Sequence, residues 1–133
     1  MATLHPSIDN LLLTSPGAYR ERDILLLLQN SLPTGFDVYH SIAFSTTHND
    51  NQYYGELDIV ILSPAGHLIV LEVKAGKTGK LKSLHVFMEE KKTLFGIKIS
   101  QDSMKWEKNI LSVPFYMVAH LPRLIDSVMS QVS

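Results

Sequence analysis

Gly55-Glu56-Leu57-Asp58-Ile59-Val60-Ile61-Leu62-Ser63-Pro64-Ala65-Gly66-His67-Leu68-Ile69-Val70-Leu71-Glu72-Val73-Lys74 is the stretch whose reading decides the fold. Two apolar runs flank a turn, and the carboxylates and the lysine stand only at the open end. Pro64-Ala65-Gly66 suits a three-residue hairpin loop. Pro64 pre-sets φ for a type I turn, and Gly66 tolerates the left-handed conformation that follows. In that register Asp58 faces Glu72, Glu56 faces Lys74, Val60 faces Val70 and Leu62 faces Leu68. Side chains alternate along a strand, so these residues share one face. Leu57, Ile59, Ile61, Ile69, Leu71 and Val73 fall on the other. Both faces are apolar, which predicts a hairpin covered on both sides, as the middle of a sheet is.

The charges at the open end are costly. Directly opposed carboxylates, roughly 4.5–5.5 Å apart at Cβ, repel each other. Burial adds the cost of desolvating both. A divalent cation relieves both problems, because two carboxylates, a backbone carbonyl and several waters satisfy Mg²⁺. The plainer alternative is a solvated strand end carrying a Glu56–Lys74 ion pair. Same-face placement on covered strands favours the cation.

Outward from the hairpin, Ser15-Pro16 marks a helix start, with Ser15 as N-cap and Pro16 in the first turn. This helix is predicted to reach about Leu32, before Pro33-Thr34-Gly35. Glu21 shares a helical stripe with Ile24, Leu25, Leu28 and Leu32. The pattern leaves two roles for it, an inward-facing carboxylate or a partner of the helix dipole near the N-terminus. Residues 1–14 give little signal beyond a short helix over Ser7 to Leu13. Phe36 to Phe44 reads as a strand, and Ser45 to Tyr54 as a polar surface loop. Ala75 to Lys82 is a basic Gly/Lys loop. Ser83 to Ile99 is expected to form a second hairpin with its tip at Glu89–Lys92, a helix being the alternative. Ser100 is expected to cap a helix through about Leu111. Pro114 breaks it, Phe115 to Ala119 forms a last strand, and Leu121 to Val132 an amphipathic helix.

The chain has 133 residues, with 45% hydrophobic and 19% charged content, which suits one globular domain spanning 1–133 with its core at about 15–120. It contains no cysteine, which excludes disulfides, thiol chemistry and zinc-thiolate sites. No basic start precedes a long apolar run at the N-terminus, and the run Ile24–Leu28 is too short to cross a bilayer. A cytoplasmic protein without membrane contact is therefore expected. Net charge is −1, but the signs are segregated. Residues 1–73 hold two arginines against eight carboxylates, and residues 74–108 hold nine lysines against four. Lys74, Lys77, Lys80 and Lys82 follow directly on the acidic hairpin. Such a flank suits a phosphodiester held against a cation, although a solvated lysine-rich loop has the same composition. Gly76-Lys77-Thr78 imitates the end of a P-loop, but Leu71 stands where that motif needs glycine. The six histidines have no metal-ligand spacing.

These residues together resemble the PD-(D/E)XK nuclease superfamily and, more narrowly, the nuclease-related domain (NERD) family. Three stretches carry the likeness. Glu21-Arg22-Asp23-Ile24 with Leu28 and Leu32-Pro33 is similar to the family's first helix. Gly55-Glu56-Leu57-Asp58-Ile59-Val60 is similar to its Gly-Glu-aliphatic-Asp strand, and Leu71-Glu72-Val73-Lys74-Ala75-Gly76 to its Glu-Val-Lys strand. The likeness spans about residues 18–102. Two departures are visible: Arg20 stands where the family usually has glycine, and Ile99-Ser100-Gln101 lacks the proline of the family's Pro-x-x-Gln segment.

The resemblance implies an α/β, restriction-endonuclease-like core, a central mixed β-sheet flanked by helices in the order αβββαβ. It implies hydrolysis of a nucleic-acid phosphodiester, DNA being the expected substrate, with Mg²⁺ or Mn²⁺ as cofactor. Asp58, Glu72 and the Val73 carbonyl would bind the cation. Lys74 would orient the attacking water, and Glu21 would hold a metal water or a second cation. Lys77, Lys80 and Lys82 would contact the backbone without reading bases. Glu56 and Gln101 are auxiliary candidates, and a homo-oligomer is compatible with the sequence. The alternative is a module that keeps this fold and binds nucleic acid or protein without cutting.

Overall fold

The computed structural model describes residues 1–5, 16–74 and 82–132, with side chains described for α1 only from Arg22 onward. Its centre is a seven-stranded mixed sheet. In chain order the elements are β1 (Thr3–His5), α1 (Pro16–Ser31), β2 (Asp37–His48), β3 (Asn51–Leu62), β4 (Leu68–Val73), α2 (Lys82–Lys91), β5 (Phe95–Ser100), β6 (Lys105–Glu107) and β7 (Ile110–Pro114). A 3-10 helix (Phe115–His120) and α3 (Leu121–Val132) follow. The spatial order is β1-β2-β3-β4-β5-β7-β6. Between Pro16 and Ser100 the chain runs helix, three strands, helix, strand. No helix among the described residues is long and apolar enough to cross a membrane.

The central hairpin forms in the expected register. Ile59 pairs with Leu71, Val60 with Val70, Ile61 with Ile69 and Leu62 with Leu68. The turn closes through Ser63 N–H to His67 O (2.9 Å) and Gly66 N–H to Ser63 O (2.9 Å), with Gly66 at φ +89°. Side chains leave both faces for separate cores. Ile59, Ile61, Ile69 and Leu71 join Phe95, Ile97 and Ile99 under α1 and α3. Val60 and Val70 join Leu84 and Phe87 of α2 on the opposite face. Each fully buried Ile, Leu or Phe contributes about 1.5–3 kcal/mol. The near-continuous apolar strands are therefore explained by cover on both sides, and each of β4, β5 and β7 is paired on both edges.

Helices supply two of the parallel crossovers, α1 between β1 and β2 and α2 between β4 and β5, while the parallel pair β5–β7 is bridged by the segment that carries β6. Ile24, Leu25, Leu28 and Leu32 are buried, as the stripe on α1 requires. The short helix expected over Ser7 to Leu13 and the Ser15 cap lie outside the described residues.

Four expectations are corrected. Ser45 to Tyr54 is not a loop: β2 and β3 continue through it as a paired arm closed by Asn49 (φ 50°) and Asp50 (φ 64°). Two positive φ values are what a two-residue type I′ turn demands, and Asn and Asp accept them. Polarity on both faces concealed a ladder that needs no core. Ser83 to Ile99 is not a hairpin but α2 followed by β5; Leu84, Phe87 and Met88 lie at helical spacing on the face against the sheet. Ser100 to Leu111 is not a helix: a bend precedes β6, a Lys108-Asn109 turn at positive φ, and β7. Ile110 to Pro114 is buried throughout, and a short apolar run does not distinguish a strand from a buried helix. Phe115 to Ala119 is a 3-10 turn rather than a strand. The amphipathic C-terminal helix stands as expected.

Candidate active site

The β3–β4 ladder stops at Ile59–Leu71, one pair before the carboxylates. Beyond it, side chains replace the backbone bonds. The Asp58 N–H donates to Glu72 Oε1 at 3.3 Å, and the Val73 N–H donates to Asp58 Oδ2 at 2.8 Å. Each carboxylate thus accepts from the strand that carries the other. The far edge of β3 is interrupted at the same residue. His40 pairs with Ile59 and Ile42 with Leu57, but the intervening Ser41–Asp58 pair is absent. Ser41 sits at φ 55°, a conformation rarely adopted by residues other than glycine, asparagine or aspartate.

This break overturns one facial assignment. Leu57 was expected beside Ile59 and Ile61, yet it packs with Val60 and Phe87 on the α2 face. The side-chain alternation reverses where the ladder opens. Ile42 and Tyr39 on β2 share that face across the same break. The sequence carries no signal for Ser41, whose strained backbone is set by its partners.

Glu72 is only 6% exposed. Its pKa is pushed up from 4.5 to about 8, first by burial and then by the Asp58 charge, with Lys74 pulling the other way. Asp58 is half-buried and Lys74 partly exposed. Lys74 continues the sheet through its N–H to Ile99 O at 2.7 Å, which carries its side chain past the end of β4. The donors are hard oxygens, one of them on a buried acid held against a second acid. That set fits a hard divalent cation. The Val73 N–H faces Asp58, and the N–H and C=O of one strand residue lie on the same edge. The carbonyl is therefore on the Asp58 side of β4. Among the described residues no group of three His, Cys, Asp or Glu side chains gathers, and Asp58 and Glu72 are the two carboxylates that meet here.

The remaining candidates are placed unevenly. Glu56 is exposed and pairs with Ala43 of β2, not with Lys74, because the β3–β4 ladder ends before that point. It borders a hollow of ≈ 310 Å³ lined by Ser41, Ala43, Glu56, Leu57 and Asp58. Gln101 is exposed and lies just beyond the end of β5, next to the strand pair Val73–Ile99. Lys82 is exposed at the start of α2, with Nζ 5.2 Å from the Tyr53 ring centroid. Lys77 and Lys80 lie outside the described residues, as does the side chain of Glu21, whose backbone is in α1.

The structure also explains the glycine of the Gly-Glu-aliphatic-Asp strand. A Cβ at Gly55 would sit 2.7 Å from Phe44 Cε1 and 2.9 Å from Ser83 Oγ. Phe44 packs edge-on against Phe87, and Tyr53 bonds Ser83 at 2.8 Å, so neither neighbour is free to yield. A hollow of ≈ 580 Å³ lies here between the arm and α2, beside Asp58 and Glu72 rather than at them.

A family model described as nuclease-related domain matches residues 16–112. No curated protein matches the sequence. Among solved structures, the crystal structure of protein VC1899 from Vibrio cholerae is similar, with a TM-score of 0.55 and 12% identity. The match covers 87% of this chain and 37% of that one. At that identity the likeness concerns the fold alone, and the chain spans little more than a third of the length of its structural neighbour.

Proposed function

From the premise that the chain belongs to the nuclease-related domain family, we propose that it is a metal-dependent nuclease whose site is Asp58, Glu72 and Lys74. The observation that carries this reading is the buried Glu72 beside Asp58, a pair that is costly to ionise together without a cation between its members. Asp58 and Glu72 would hold Mg²⁺ or Mn²⁺, with the Val73 carbonyl on the same edge. When bound, such a cation polarises a phosphoryl oxygen and activates the attacking water. The protein's own part is positional. Crossed hydrogen bonds fix Asp58 and Glu72 to each other's strands, so both are preorganised. Lys74 presents a compact positive charge beside them, suited to the charge that develops on a phosphate. Glu21 would hold a metal water or a second cation, and Glu56 and Gln101 are auxiliary in this proposal. The restriction-endonuclease-like αβββαβ core is its structural counterpart, and the helix–strand order from α1 to β5 supports it.

The test is cleavage of plasmid and of single-stranded oligonucleotide by the purified protein with Mg²⁺ or Mn²⁺, against EDTA. Cutting is expected only with the cation and is expected to vanish in Asp58→Asn. Cleavage undiminished in both Asp58→Asn and Glu72→Gln excludes this site.

A second reading is binding without hydrolysis. It is favoured by the lack of a third clustered ligand among the described residues. It predicts oligonucleotide binding in EDTA with no cleavage under any divalent cation.

A further inference from the structure

We propose that His85, Lys98, Lys105 and Lys108 form a pocket for a backbone phosphate of the nucleic acid, displaced to one side of the carboxylates; the proposal rests on the nucleic-acid reading above. Strand register carries it. Glu72 pairs with Lys98, Lys98 with Ser112, and Ser112 with Lys105. Directly paired residues share a face. A single row therefore runs from the buried Glu72 across β5 and β7 to Lys105 on β6. It lies on the face that carries α2, because Val70 on the same side of β4 packs against Leu84 and Phe87.

The outer part of this row is a hollow of ≈ 210 Å³, lined by His85, Lys98, Lys105, Lys108 and the buried Ser112, with Glu107 as its acidic member. Three lysines and a histidine thus line it with one carboxylate, and a second, Asp102, sits on Lys98. Lys98 holds Asp102 (2.7 Å) and Lys105 holds Glu107 (2.9 Å). The Lys105 pair is exposed, where such contacts are weak and a phosphate competes well for the ammonium, whereas the Lys98 side chain is only 18% exposed. The buried Ser112 adds a hydroxyl to the floor. The span from β4 to β6 is three strand spacings, roughly 14 Å, or about four nucleotides stacked at 3.4 Å each. A strand whose scissile phosphate lay at Glu72 would bring a neighbouring phosphate over Lys98 to Lys105. The lysines are point charges without a base-reading fork, so the contact would be indifferent to sequence.

The test is binding of a labelled single-stranded oligonucleotide in EDTA, by fluorescence anisotropy across a range of salt concentrations. Lys105→Gln with Lys108→Gln is compared with a charge-matched control, Lys91→Gln with Lys92→Gln, at the far end of α2. All four lysines are exposed, and melting curves check that both proteins remain folded. The pocket variant is expected to lose about 0.7 from the slope of log K against log salt, the share of one neutralised phosphate. The control should keep the wild-type slope. An unchanged slope in the pocket variant, an equal loss in the control, or no binding by the wild type overturns the proposal. So does a thermal shift with inorganic phosphate that the pocket variant loses while its oligonucleotide slope stays intact, since the pocket would then serve free phosphate. A wild type that binds through this pocket yet cuts nothing removes only the hydrolytic reading. A wild type that cuts with an unaltered slope in the variant removes only the pocket.

Discussion

Asp58 and Glu72 are bound crosswise: the Asp58 amide donates to the Glu72 carboxylate at 3.3 Å, and the Asp58 carboxylate accepts from Val73, the residue after Glu72, at 2.8 Å. The pair is therefore held in contact by the backbone although its charges oppose each other. Burial and Asp58 together raise the Glu72 pKa to about 8.

Stability without metal should depend on pH through Glu72. Well below pH 4.5 the group is protonated in folded and unfolded chains, and well above 8 it is ionised in both. Between these values the unfolded chain has lost its proton while the folded one keeps it. Unfolding free energy should then fall as pH rises from about 4.5 to 8, by at most about 1.4 kcal/mol per pH unit from this group. Urea denaturation in EDTA across this range, wild type against Glu72→Gln, isolates the effect. Parallel curves for the two proteins would refute the coupling.

Glu72→Gln should stabilise the metal-free protein at pH 8, by a few kcal/mol, because glutamine keeps the shape and drops the charge. The same change should abolish stabilisation by Mg²⁺ or Mn²⁺. For the wild type that stabilisation is about 2.7 kcal/mol at a hundred times Kd. Thermal melts with and without the cation measure both effects.

Lys74→Met should leave cation binding in place and lower the cleavage rate by about 10²–10³, the usual cost of one donor at a developing charge. Single-turnover rates at saturating metal separate this from a binding defect. A rate within twofold of wild type would assign Lys74 to the sheet edge alone.

Gly55→Ala should destabilise by about 1–3 kcal/mol, since the new methyl would overlap the Phe44 ring. Phe44→Leu in the same chain should recover part of the loss if the clash is the cause. Two strictly additive losses in urea titrations would point elsewhere.

Ser41→Gly should be neutral or stabilising by up to about 1 kcal/mol, as the residue sits at φ 55°. Ser41→Val should be destabilising, because a β-branched side chain resists that conformation. It should also weaken Mn²⁺ binding, measured by calorimetry, if the open Ser41–Asp58 position is what leaves Asp58 free to turn toward Val73.

The sequence alone determined the central hairpin. Two apolar runs joined by a Pro-Ala-Gly turn have their register set by the loop, since both faces are apolar and the turn type and length fix the pairing. That register, carried one pair past the end of the ladder, points to Asp58 and Glu72, which side-chain bonds then hold together, and the stripe of α1 and the periodicity of α3 were equally local signals. Tertiary structure decided the rest. Whether Ser83 to Ile99 and Ser100 to Leu111 are helix or strand depends on which neighbours bury them, because short apolar runs fit either. The polar arm of β2 and β3 exists because its two strands pair with each other. The backbone break at Ser41, the reversal of Leu57 and the steric need for Gly55 arise between residues far apart in the chain, where no local pattern records them.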